Sequence, residues 1–268
     1  MDHSDRDHSS RGTFLRGAVA AGVSTALAGA SVTLAPVASA AETCPDTVAS
    51  ILATLLLTER LATTFYYTAL TSPGVMRDSR LGGSSTDALD PGLPPNGNPH
   101  HVRCLQAALD AESKHAALLA RAGATSPHRQ FYFPRTTFTQ MGTSTDAQTF
   151  LGVLDQLEMT AVGVYIAAVS ALVRLRHVEL AGLAAGIAGI EAEHRMLGRL
   201  LAGLTPANNL TLEQEPFACV GDAAPALQPF LTGRGFAQGA IGPLALPTAA
   251  QTIHLVGKYG TLLVRRFL

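Results

Sequence analysis

Carboxylates and histidines recur in the middle of apolar helical stripes, and this constrains the chain more than any other feature. The proline-free, Ala- and Leu-rich run from Leu180 to Leu201 carries a stripe at positions 180, 183, 187, 190, 194, 197 and 201. That is the 3.6-residue period of a helix face turned toward a core. Glu191 and His194 fall on the stripe. Polar groups facing a core carry a desolvation cost unless something pairs with them. Glu and His three residues apart share one helix face, and a metal ion accounts for both pointing inward. Glu193 lies about 200° around the helix from Glu191 and is expected to face water. A single Glu-x-x-His is common by chance, so the pattern gains weight only from matching partners.

Three further helical stretches supply them. One opens with Asn98 as N-cap and Pro99 in its first turn, and ends near Gly123. Its stripe is Val102, Leu105, Leu109, Glu112, Ala116 and Leu119, with His115 on the shoulder, so Glu112 and His115 form a second Glu-x-x-His. Another, capped by Asp46 and reaching about Leu70, sets Glu59 beside Leu52, Leu55, Leu56, Ala62 and Phe65. The last, from about Thr145 to Val173, sets Glu158 among Leu151, Leu154, Ala161, Tyr165 and Leu172. Tyr66 follows Glu59 by seven residues and Tyr165 follows Glu158 by seven, so the chain reads as two halves of one design.

Glu, Glu-x-x-His, Glu, Glu-x-x-His, one set per helix, is the inward-facing ligand order of di-metal carboxylate bundles. The alternative is a metal-free polar core. Four carboxylates and two imidazoles are hard O/N donors, suited to two Fe or Mn ions rather than Cu(I) or a sulfur-bound cluster. In this reading Glu112 and Glu191 bridge the metals, Glu59 and Glu158 cap one each, and His115 and His194 are terminal nitrogens. Two ions about 3.5–4 Å apart can take O2 or peroxide between them. Tyr66 and Tyr165 either hydrogen-bond the ligand carboxylates or are plain core packing. Asp155, one turn before Glu158, either orients a histidine or is an exposed helix residue. Leu56 holds the equivalent place in the first half.

Residues 1–40 read as an export signal: Arg11 and Arg16, a weakly apolar stretch from Gly17 to Val37, and the small-residue cleavage site Ala38-Ser39-Ala40. Ser10 to Arg16 resembles a twin-arginine signal with Gly12 in place of the second arginine. The expected location is periplasmic, cell-surface or extracellular. No other segment reads as a membrane span, so none is expected after cleavage. Removing a segment with three basic and three acidic residues leaves the formal charge at −1, and no basic stripe points to nucleic acid. With 47% hydrophobic and 15% charged residues, the chain has ample core and is not a disordered hydrophilic protein. Residues 71–98 form a long loop, and 205–268 a Pro/Gly-rich extension whose Phe217, Phe230, Leu231 and Phe236 are expected to dock on the bundle.

At Leu157 to Tyr165 (LEMTAVGVY) and Ala188 to His194 (AGIEAEH) the chain resembles the ferritin-like superfamily. Within it, the likeness is to exported bacterial ferritin-like domain proteins related to the desiccation-related proteins of plants and bacteria. The resemblance spans residues 46–204, with a further feature at Ala226 to Leu231 (ALQPFL). It implies an all-α fold: a four-helix bundle with one long crossover, followed by the irregular extension. It implies metal ions as partners, with redox chemistry on Fe(II), O2 or peroxide in stress protection. A non-catalytic structural or desiccation-stress role with a vestigial or purely structural metal site is the alternative, and homo-oligomer formation stays open. With three cysteines, an exported chain can form one disulfide and keep one thiol. The long crossover sets the start of the second helix near the end of the fourth, which favours Cys104–Cys219.

Overall fold

The computed structural model describes residues 44–81, 99–208 and 217–257. The export segment and the Asn98 cap lie outside these residues. Helix α1, Val48–Thr71, starts at Thr47, whose hydroxyl accepts the Ser50 N–H while the Ser50 hydroxyl accepts the Thr47 N–H. This reciprocal cap satisfies two donors that helix geometry leaves unpaired. Asp46, expected as the cap, instead accepts the backbone N–H groups of Val220 at 2.7 Å and Gly221 at 3.2 Å. Thr47 stands one residue nearer the helix and leaves Asp46 free for that contact.

A short helix α2, Pro73–Met76, precedes α3, Pro99–Arg121. Helix α4, Phe150–Arg174, and helix α5, Val178–Leu201, follow, joined by a tight turn in which Arg176 takes a left-handed conformation. The four long helices form the bundle, α1 against α3 and α4 against α5. Helix α4 begins about five residues later than its apolar period predicts. Asp146 and Thr149 close a turn that folds back on its first residues. Gly152 makes this possible, because a Cβ there would stand 1.9 Å from the Asp146 carbonyl oxygen.

The crossover from α3 to α4 runs alongside α1. Arg60 holds its first part through the carbonyls of Ser126 and His128, and Phe65 meets Phe133 and Phe138 in its middle. Gly74 then lies so close to Thr139 that a Cβ would clash with its backbone. Strand β1, Gln130–Pro134, pairs antiparallel with β2, Ala240–Ala245. Phe131 and Phe133 alternate inward from β1 and are fully buried. An aromatic chain runs from Phe150, stacked on Phe65 at 5.0 Å, through Phe133 to Phe230 and Phe236. Each fully buried ring contributes about 1.5–3 kcal/mol, and together they bind bundle, crossover and C-terminal segment. Phe230 comes from α6, Ala224–Thr232, and the last described helix is α7, Ala249–Val256.

Two expectations change. Cys219 pairs with Cys44, their Cα atoms 5.5 Å apart, and Cys104 remains an exposed free thiol on α3. The expected Cys104–Cys219 bridge took Cys219 to stay near the end of α5. Seventeen residues lie between Leu201 and Cys219, a reach of up to about 60 Å, against about 36 Å for a 24-residue helix. That reach allows Cys219 to lie at the start of α1. There the 3-10 turn Val220–Ala223 packs on α1 and α4. Secondly, α1 and α4 are long and apolar enough to cross a membrane by length and composition. Within the fold, 61% and 67% of their apolar windows are buried, as expected of core helices.

Candidate metal centre

The bundle brings all six sequence-derived ligand candidates together. Glu59, Glu112, Glu158 and Glu191 are at most 1% exposed, and His115 and His194 are 8% and 7% exposed. Their donor atoms fall into two overlapping groups, each within 4.8 Å: Glu59, Glu112, His115 and Glu191, then Glu112, Glu158, Glu191 and His194. Glu112 and Glu191 belong to both. That is the geometry expected of two bridging carboxylates with one capping carboxylate and one imidazole on either side.

His115 Nδ1 lies 3.1 Å from Glu59 Oε2 and 3.2 Å from Glu191 Oε1. His194 Nδ1 lies 2.7 Å from Glu112 Oε1, without the alignment of a hydrogen bond, and 3.6 Å from Glu191 Oε2. The tyrosines cross between the halves. Tyr66 on α1 donates to Glu158 Oε1 on α4 at 2.5 Å, and Tyr165 on α4 donates to Glu59 Oε1 on α1. The seven-residue spacing therefore places each tyrosine on the glutamate of the other half, not on its own.

The electrostatics are those of four buried carboxylates with too little positive charge. Burial, then Glu191 and the other carboxylates, push Glu112 well above the usual carboxylate range, and burial with Glu191 does the same to Glu158. Burial and Glu191 also raise Glu59, against the pull of His115. Burial pushes Glu191 up too, but His115 and His194 outweigh it and hold its carboxyl down at about 2. Burial disfavours the charged form of His115, yet Glu191 and Glu59 raise it to about 9. Burial and the neighbouring glutamates keep both tyrosines protonated.

These residues fit a pair of cations. Both oxygens of Glu112 and of Glu191, Glu158 Oε2 and His194 Nδ1 have no hydrogen-bond partner among the described residues. Buried polar atoms are nearly always paired, so a cluster of orphans calls for an ion. Asp155 departs from expectation: it meets Arg195, Nε to Oδ1 at 3.4 Å, rather than a histidine. Arg195 itself escaped the sequence reading. The only signal for it was that Leu56 and Ala116 hold the equivalent places in the first half.

No curated protein and no solved structure matches the chain. Residues 47–203 match the ferritin-like domain family, a span that begins at the cap of α1, ends just beyond α5 and contains all six clustered residues. The chain belongs to the ferritin-like domain family.

Proposed function

We propose that the bundle binds two Fe or Mn ions in a carboxylate-bridged centre, and that the protein carries out redox chemistry on Fe(II), O2 or peroxide. The observation that carries this reading is the set of unpartnered oxygens of Glu112 and Glu191 lying between two complete groups of donors. When bound, Fe or Mn ions there would supply the redox chemistry. The chain's own residues do the rest. Glu112 and Glu191 would be shared by both ions, Glu59 with His115 and Glu158 with His194 would each serve one, and Tyr66 and Tyr165 orient the carboxylates of Glu158 and Glu59. The burial of every glutamate suits small substrates such as O2 or peroxide.

Residues 1–40 act as an export signal in this reading, and the redox role is protection against stress outside the cytoplasm. Elemental mass spectrometry of the purified protein beside Glu112→Ala/Glu191→Ala tests the centre. The expected result is about two Fe or Mn per chain, lost in the variant. No metal in either protein, even after reconstitution, overturns it.

A second reading rests on the cross-half tyrosine bonds, which tie the helices together with or without an ion. In it any metal only stabilises the bundle. It predicts bound metal with no consumption of Fe(II), O2 or peroxide, and a melting temperature that falls on chelation.

A further inference from the structure

The two half-sites differ in what stands between them and water. Among the described ligand residues the four glutamates are at most 1% exposed, and His115 and His194 are 8% and 7% exposed, so solvent meets the centre mainly at the histidine edges. Beside His115 and Glu59 stand the buried Leu56 and the small Ala116. At the equivalent places beside Glu158 and His194 stand Asp155 and Arg195. Asp155 lies one helical turn before Glu158 on the same face, and Arg195 follows His194 directly. Their ion pair bridges α4 and α5, with the Asp155 side chain 26% exposed and that of Arg195 11%. The two histidines are about equally exposed, but beside the first stand apolar side chains and beside the second a hydrated carboxylate.

We propose that divalent cations reach the centre through the Asp155–His194 side of the α4–α5 seam, filling the half-site of Glu158 and His194 before that of Glu59 and His115. This rests on the di-metal reading and adds the route. An arriving cation displaces the guanidinium from Asp155, sheds water against a carboxylate that is still partly solvated, and passes one turn inward to Glu158 and His194. At the equivalent place on the other side stands Leu56, which offers no donor. Charged groups placed along an approach raise association rates by about 10- to 1,000-fold, so the signature is kinetic rather than a change in final occupancy.

The test is stopped-flow uptake of Co(II) by the full, metal-free protein, followed by the visible absorbance of the bound ion. The variant Asp155→Leu copies the first half and should slow uptake by about tenfold. The final stoichiometry should stay at that of the wild type, and the difference should shrink in high salt. Because Asp155→Leu also removes a partner of Arg195, Asp155→Leu/Arg195→Ala is measured beside it and should slow uptake to the same degree. Glu193→Gln removes an exposed carboxylate from α5 and should leave the rate unchanged. Wild-type rates in both Asp155 variants, or equal slowing in Glu193→Gln, overturn the route while leaving the di-metal reading intact. No Co(II) uptake by the wild type overturns both.

Discussion

The two halves of the bundle carry the same ligands on different frames. In the first half, α1 and α3 are separated by residues 72–98, and their inner faces meet the centre beside Leu56 and Ala116. In the second, α4 and α5 are joined by a turn at residues 175–177, and Gly198 lets α5 approach Leu154 so closely that a Cβ would stand 2.9 Å from its Cδ2. One half is wrapped by the crossover, the other packed by close helix contact. The centre lies where they meet, and each half supplies the tyrosine that fixes the other's glutamate. The site is thus a property of the pair, and either half alone would leave buried carboxylates without partners.

The strongest break of this symmetry is at the shared carboxylates. Glu191→Ala should remove both ions, since Glu191 belongs to both donor groups, whereas Glu59→Ala or Glu158→Ala should each remove about one of the two. Elemental analysis of the three variants decides it; equal losses from all three would mean the groups do not divide as their geometry indicates. Next comes the covalent staple between the halves' outer elements. Cys219→Ser should cost about 2–5 kcal/mol in chemical denaturation, and Cys104→Ser, on an exposed thiol, should fall within about 0.5 kcal/mol of the wild type.

A smaller effect tests the crossing. Tyr66→Phe leaves Glu158 Oε1, and Tyr165→Phe leaves Glu59 Oε1, without a donor, at about 1–3 kcal/mol each by thermal or chemical unfolding. In metal titrations Tyr66→Phe should weaken the half-site of Glu158, across the bundle from its own helix, and Tyr165→Phe that of Glu59.

The pH dependence separates metal-free from loaded protein. Glu59, Glu112 and Glu158 hold protons more tightly folded than unfolded, so their contribution is lost as pH rises above about 4.5. His115 adds stability that is complete below about 6.5 and is lost as pH rises through about 9. Glu191, held at about 2, loses its contribution only in strong acid. The melting temperature of chelated protein should therefore fall between about pH 5 and pH 9, and bound cations, taking the place of the protons, should flatten that fall. An equal fall with and without metal would break the link between the carboxylates and the ions.

The ligand set was legible in the sequence because a buried carboxylate interrupts a stripe that periodicity makes visible, and four such interruptions in matching order leave little freedom. The long helices were legible for the same reason. What a single helix's period cannot carry was missed. Tyr66 could be placed on an inner face, but the identity of its partner depends on how α1 packs against α4. Asp155 could be placed one turn from Glu158, but Arg195 reaches it only across the α4–α5 seam. The Cys44–Cys219 bridge depends on where the segment after α5 brings Cys219, and the pairing of β1 with β2 joins segments about 110 residues apart, with only two alternating phenylalanines as a local sign. The cap moved by one residue because Asp46 and Thr47 are both competent and only the distant Val220 amide distinguishes them.

The bond between Cys44 and Cys219 turns residues 44–219, and with them the bundle, into a closed ring of chain. Every ligand residue lies on that ring. A protease that cuts the ring once, at any exposed loop, opens a circle rather than releasing a fragment, so the donors of both halves stay on one covalent molecule. Such a nicked protein would run as a single species on a gel without reductant and as two with it. For a chain read as working outside the cell, among proteases, a centre built from two halves keeps both of them after the first cut.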